Sequence, residues 1–522
     1  AKLEIDAVYP FTPWNNLMRG LNLTLSEKGE LCSKSHWFNC NLFSQQDDVL
    51  KAAAEALLSK IYQHSNPTRK HIAKHLPQLE ILILNLLKAQ KHRDFMTVSK
   101  AAGHYVFENG VSFRVLVAHH LHHLVAMGFL KEHKGYYGGI IGKRTRYELL
   151  SPAKEWLNKW PLDAKYFSST ADKEPIHLKD KDKKRIRIPD ELIPETEQMA
   201  GNLQQLNQRL KYTFIDLFLT DYELQEMEED LSSSEEDEEF KPAIVNFERK
   251  FLHRVFNNSS LEQGGRFYGG WWQTIPKEKR LYLSIDNNFV EELDYSGMHV
   301  DLLYARHQST CQLNDPYVFG YLTEEYRAQT KIIFNRLINS TKRPSFIQAL
   351  EKDHDEEKVR LPKGLANFDE YVALIEETHH EIAGSFLTGA SVSLQYMDSQ
   401  IAERVMLRML DEHSAVCLPV HDSFIVEIGE AEHLDAIMKE TFFEFVGSEA
   451  QIKSVSRSLS DVQRQERVNL VEEIFEKGQG YNQRFMAFCR YYQQKHLIRG
   501  GNPFGDKPLT KLWSAASSYK SY

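Results

Sequence analysis

Two carboxylates stand at the ends of apolar, β-prone runs: Asp294 in Glu291-Glu292-Leu293-Asp294-Tyr295-Ser296-Gly297-Met298-His299, and Asp422 in Leu418-Pro419-Val420-His421-Asp422-Ser423-Phe424-Ile425-Val426. A sheet edge can hold two such groups rigidly side by side. Magnesium takes oxygen ligands and keeps only one or two protein carboxylates, completing its shell with water and phosphate oxygens. A pair of metals held this way can activate a primer 3′-hydroxyl and stabilise a leaving pyrophosphate. Taken singly, either stretch is as readable as an ordinary strand end; what lies between them makes the pair informative.

Between them, Arg327-Ala328-Gln329-Thr330-Lys331-Ile332-Ile333-Phe334-Asn335-Arg336-Leu337-Ile338-Asn339 has the apolar spacing of a helix. Arg327 and Lys331 are four residues apart and project from one face, suited to the triphosphate of an incoming nucleotide or to a solvated basic surface. Upstream, Gly264-Gly265-Arg266-Phe267-Tyr268 leads to Trp272-Gln273-Thr274-Ile275-Pro276 and Arg280, ahead of the run that ends at Asp294.

In this order the set resembles the palm and fingers of the family A DNA polymerases and of the bacteriophage-type single-subunit RNA polymerases, over roughly residues 250 to 430. Asp294-Tyr295-Ser296 is similar to the first catalytic motif, Arg327 to Lys331 to the fingers-helix motif, and His421-Asp422 to the second catalytic motif. Gln273-Thr274-Ile275-Pro276 with Arg280 is similar to the segment that precedes the first motif in the DNA enzymes. Gly265-Arg266-Phe267-Tyr268 and His421-Asp422-Ser423-Phe424 stand as close to the RNA enzymes.

The resemblance implies template-directed nucleotidyl transfer on a DNA or RNA template and primer, with nucleoside triphosphates as substrates. Asp294 and Asp422 would ligate two Mg²⁺ ions, for which Mn²⁺ can substitute, and Lys331 would be the catalytic cation. Arg327, Tyr295, Arg280, Arg266 and His421 would line the nucleotide and primer end, and Gln395 would touch the template–primer minor groove. His299, five residues after Asp294, stands where the DNA enzymes carry a Glu that excludes the ribose 2′-hydroxyl. Asn339 replaces the Tyr found beneath the incoming base in both families, and the motifs are closely packed. Small fingers and incorporation of both sugars are the expectation.

A DNA polymerase is favoured over a single-subunit RNA polymerase or a primase-like enzyme. The alternative from another class is a non-catalytic DNA-binding replication initiator or regulator with a degenerate palm. Retention of both aspartates and of the Arg–Lys pair favours the enzyme, and no exonuclease-like carboxylate cluster accompanies them.

The elements that must position these residues imply an α+β fold: an antiparallel palm sheet with helices, preceded by a mainly helical region that contains a winged helix. A chain of 522 residues is too long for one core,. The expected divisions are an N-terminal helical extension over 1–94, a winged-helix-like domain over 95–160, a linker, helix and acidic loop over 161–246, palm and fingers over 247–445, and a basic aromatic region over 446–522.

Within 95–160, Ser112 predicts the N-cap of a helix that runs through Met127 and stops at Gly128,. A strand over Phe129 to His133, a glycine-rich loop from Lys134 and a returning strand over Lys143 to Leu149 complete a pattern that resembles a winged helix. That reading turns Arg114, His119 and His122 toward a DNA groove and sets Lys134, Lys143, Arg144 and Arg146 on phosphates; a protein-contact module is the alternative. His119 and His123 have the i, i+4 spacing of helical metal ligands. With no neighbouring Glu and no third ligand in view, they read as an exposed or core-satisfied pair.

The formal charge of −9 hides an asymmetry. Residues 221–239 hold eleven acids and no base, which predicts a solvated loop because self-repulsion opposes packing. Residues 450–522 carry a net +6, with Tyr481, Phe485, Phe488, Tyr491 and Tyr492 among Arg484, Arg490, Lys495 and Arg499. Such a mixture suits base stacking and phosphate contact, or an ordinary buried stripe. No apolar run approaches the ~18 residues that span a bilayer, so no membrane partner is expected. Five cysteines without paired metal spacing suggest reduced thiols and a cytoplasmic protein,.

Overall fold

Apolar runs and stripes sort into two large cores, one drawn from Cys40 to Phe167 and the other from Ile176 to Ala450. The computed structural model describes residues 36–44, 46–63, 67–91, 94–100, 111–134, 136–137, 142–143, 145–163, 167–169, 171–172, 174–233, 245–356, 358–454, 461–477 and 480–489. The fold is mixed α and β with mainly antiparallel sheets. Among the described residues, no helix is long and apolar enough to cross a membrane. Cys311, Cys417 and Cys489 are free thiols.

In the first unit, helices Asp47–Ile61 and Arg69–Lys91 pack together beside a sheet ordered His36–Trp37, Phe95–Val98, Thr145–Leu149, Leu130–His133. The first pair is parallel and the others antiparallel. The helix that begins after Ser112 starts as expected: Ser112 Oγ accepts from the Val115 amide, and Gly128 ends the helical run at φ +68°, a backbone conformation that glycine adopts without strain,. Its middle, Leu116–Leu121, is π-helical, between α-helical Phe113–Val115 and His122–Ala126. Tyr136–Tyr137 pairs with Gly142–Lys143 in the loop that follows. Arg144 and the Lys143 side chain lie outside the described residues.

In the second unit a six-stranded antiparallel sheet runs Ile215–Leu217, Leu283–Ile285, Asn288–Tyr295, Ser423–Glu427, Leu418–Val420, and Ile452–Ser454 adds to the end of the Asn288–Tyr295 strand. Helices Ser391–His413 and Ala431–Val446 pack together on the face formed by Leu293, Tyr295 and Phe424. Helices Arg327–Asn339, Arg343–Asp355 and Phe368–Thr378 pack around Phe334, Leu337, Leu350, Tyr371 and Ile375 to make a helical lobe.

A second sheet, Arg185–Ile186, Ile176–Lys179, His253–Phe256, Gly264–Tyr268, lies against the Ser391–His413 helix. Gly265 permits that close approach, since its φ is +81° and a Cβ there would lie 2.9 Å from Ser399 Oγ,.

The stretch over 161–246, expected as linker, helix and acidic loop, supplies its helix, Ile193–Lys211, and also the strands Ile176–Lys179 and Ile215–Leu217 to the second core, because Ile176 and Leu178 alternate inward,. The acidic stretch begins not as a loop but as helix Asp221–Ser233. Thr220 and Glu223 form a reciprocal cap, with the Glu223 carboxylate accepting from the Thr220 amide at 2.8 Å and Thr220 Oγ1 accepting from the Glu223 amide at 3.2 Å,.

Residues 480–489 pack into the fold. Tyr481 is buried, its hydroxyl donating to Asn287 at 2.7 Å, and packs with Phe214, Phe218, Phe485 and Phe488. Arg484 donates twice to Asp216, at 2.7 and 2.8 Å. Of the two readings of this stretch, the buried stripe holds here. Tyr491, Tyr492, Arg490, Lys495 and Arg499 lie outside the described residues.

Candidate active site

Pairing register brings the two aspartates to one place. The Asn288–Tyr295 strand runs antiparallel to Ser423–Glu427 with Asp294 opposite Ser423, and the Tyr295 amide donates to the Asp422 carbonyl at 3.3 Å. His421 and Asp422 form the two-residue turn between Leu418–Val420 and Ser423–Glu427. His421 sits at φ +58° in that turn, a left-handed conformation uncommon for a residue with a Cβ and one that clusters at functional sites.

Asp294 is half-buried. Burial and the neighbouring Asp422 carboxylate push it up to about 6, while Lys277 and Lys331, both exposed, pull the other way. Two partly desolvated carboxylates that repel one another, with only oxygen donors, suit a hard divalent cation. Asp294 and Asp422 are the residues that could hold a divalent cation here.

Behind Asp294 on the same strand face is Glu292, which the sequence reading passed over. It is 3% exposed, pairs with Arg280 at 3.1 Å and accepts from Ser423 Oγ at 2.7 Å. Arg280, expected at the substrate, is thus engaged in neutralising a buried carboxylate. The i, i+2 spacing of Glu292 and Asp294 in a strand was the signal for that shared face.

The other expected residues divide. Tyr295 is 2% exposed and faces the core, packing with Phe424 and Phe442 while its hydroxyl donates to the Met438 carbonyl at 2.7 Å. It is therefore a structural residue and not a nucleotide contact, because strand alternation turns it away from Asp294.

Arg266 donates through Nε to Asp398 at 2.9 Å, and its charge reaches Asp422. His299 Nε2 lies 3.1 Å from both Asp398 Oδ2 and Arg266 Nη2, so this imidazole is held by the Ser391–His413 helix. Asp398, also overlooked, anchors both side chains. Gln395 is half-buried one turn earlier on that helix.

Arg327 and Lys331 begin the Arg327–Asn339 helix as expected. Arg327 Nε donates to Asp315 at 2.6 Å and its guanidinium lies 5.6 Å from the Tyr317 ring centre, whereas Lys331 is exposed and within electrostatic reach of Asp294. His421 keeps an accessible edge at the turn, while desolvation by the surrounding protein and the Arg266 charge lower its basicity. In the first unit, Arg114, His122 and Lys134 are exposed and Arg146 is half-buried.

A pH-dependent stability follows from Asp294. Its native value near 6 exceeds the unfolded ~3.9,, so its contribution is fully present below about pH 4 and is lost as pH rises through about 6. In metal-free buffer, Asp294→Asn is expected to melt about 2–4 °C above wild type at pH 7.5, with the difference vanishing near pH 4. Equal melting temperatures at both pH values would show that Asp294 carries no such burden.

No protein-family model matches this chain, and no curated protein matches it.

Proposed function

We propose that this protein is a template-directed nucleic-acid polymerase, with deoxynucleotide synthesis as its first activity. The observation that carries the reading is the strand register that sets Asp294 beside Asp422 at one end of an antiparallel sheet, with Lys331 on the helical lobe within electrostatic reach of Asp294. Bound at the two carboxylates, Mg²⁺ supplies activation of a primer 3′-hydroxyl and neutralisation of the leaving pyrophosphate. Lys331 meets the triphosphate from the opposite side. Glu292 and Arg280 hold the Asp294 strand in register with Ser423, so that the Asp294 carboxylate is presented without rearrangement,. Arg266, pinned by Asp398, offers positive charge near the turn that carries His421 and Asp422.

Extension of a primed template by the purified chain in Mg²⁺ tests the proposal, and no incorporation with either dNTPs or NTPs would overturn it. Lys331→Ala should lower catalytic efficiency on the order of 10²-fold, because a cation that offsets charge developing on the phosphates is removed. Unchanged kinetics in a folded variant would reduce that helix to scaffold.

The first unit is proposed to hold the duplex. Its strand order Phe95–Val98, Thr145–Leu149, Leu130–His133, next to a helix bearing exposed Arg114, supports a winged-helix arrangement, and Lys134 begins the wing. Arg114→Glu with Lys134→Glu should weaken duplex binding and flatten its salt dependence by roughly one to two in log–log slope. An unaltered slope in fluorescence anisotropy titrations would mean that this unit contacts protein instead.

A further inference from the structure

We propose that His75, His119 and His120 form a three-histidine site for one d-block divalent cation of the zinc class, bridging the Arg69–Lys91 helix and the π-helical turn Leu116–Leu121. Each residue offers a ring nitrogen, and the three nitrogens lie within 4.8 Å of one another. The rings meet edge to face, with centroids 4.7, 5.0 and 5.1 Å apart and planes at 75°, 89° and 86°. Nδ1 of His119 and Nδ1 of His120 are 3.4 Å apart, against about 3.3 Å between adjacent ligands of a tetrahedral zinc with ~2.0–2.1 Å bonds.

A second observation points to a missing partner. His75 is only 5% exposed, yet its Nδ1 has no hydrogen-bond partner among the described residues. Buried polar atoms are satisfied almost everywhere in folded proteins, so an orphaned ring nitrogen within a cluster of three imidazoles calls for a bound species.

The backbone is built to suit. A lone π-turn inside an α-helix is rare and is frequently found at functional sites; here it carries both adjacent histidines toward His75. The Tyr62 hydroxyl lies 3.0 Å from His119 Nε2, the outer-sphere contact that orients a ligating imidazole,. The sequence pair His119 and His123 does not ligate together: His123 Nδ1 donates to the His119 carbonyl at 2.7 Å. The third ligand comes from another helix, out of reach of any spacing rule. A cation here would clamp the helix bearing Arg114 to its neighbour.

The test uses the full chain, stripped with chelator and titrated with Zn²⁺ against a chromophoric competitor, and with Co²⁺ followed by visible absorption. The expected result is one tight equivalent, tetrahedral d–d bands, and a higher melting temperature with Zn²⁺. His75→Ala and His120→Ala should each weaken binding by at least about 100-fold, while His122→Ala, exposed on the same helix, leaves it unchanged,. If a variant fails to fold, protection of His75, His119 and His120 from histidine acylation by Zn²⁺ in the wild type serves instead.

Absence of a tight equivalent overturns the proposal. So does unchanged affinity in a folded His75→Ala/His120→Ala double variant, which would assign the metal to Asp172, His177 and His253, to His413, Glu430 and His433, or to the aspartate pair.

Discussion

Asp294→Ala and Asp422→Ala should each reduce Mg²⁺-dependent nucleotide incorporation by on the order of 10³-fold or more, while leaving duplex binding intact. Each variant leaves one carboxylate where a two-metal reaction needs a pair. Neighbouring side chains are poor substitutes: Glu292 is buried and held through one oxygen by Arg280 and Ser423, and Asp398 is held by Arg266. Single-turnover extension with a labelled primer, at saturating nucleotide, separates this loss from weakened substrate binding. Removal of one carboxylate also relieves the repulsion that raises Asp294, so the variants should be at least as stable as wild type. Loss of activity without loss of stability therefore distinguishes a catalytic pair from two structural aspartates. Robust extension by either variant would sink the polymerase reading.

The second large effect concerns stability. Arg254 is fully buried beneath the Gly264–Tyr268 strand, donating through Nη1 to Glu403 at 2.9 Å, through Nη2 to Ser399 Oγ at 2.9 Å and through Nε to the Gly265 carbonyl at 2.8 Å. Arg254→Met strands the Glu403 carboxylate and orphans two further acceptors, and should cost about 3–5 kcal/mol in denaturant unfolding. Arg254→Met with Glu403→Met removes both charges and should recover much of that loss, giving a strongly non-additive cycle. Additive effects would mean that the pair is uncoupled. Because the same helix carries Asp398, which pins Arg266 and His299, the single variant should also impair incorporation.

Local order was legible in particular residues. Periodicity from Arg327 to Asn339 matches the helix observed there, and Ser112 and Gly128 bound their helix as capping chemistry requires. The acidic run misled because self-repulsion was weighed without the Thr220–Glu223 cap, which satisfies the first turn and admits negative charge at a helix N-terminus,. Nothing local in His253-Arg254-Val255-Phe256 conveys that Arg254 pairs with Glu403, 149 residues away.

By itself, then, the sequence determined the pieces: the strands that end in Asp294 and near Asp422, the Lys331 helix, and the helix and strands after Ser112. Periodicity, caps and turns act within about four residues and need no partner. Only tertiary structure decided what those side chains do. It turned Tyr295 into the core, committed Arg280 to Glu292 and Arg327 to Asp315, tied His299 to Asp398, and brought His75 to His119 and His120. Charge neutralisation and ligand sets depend on which strands and helices meet and in what register. A slip of one residue between the Asn288–Tyr295 and Ser423–Glu427 strands would carry Glu292 and Asp294 to the opposite face from Ser423, with every local signal unchanged,.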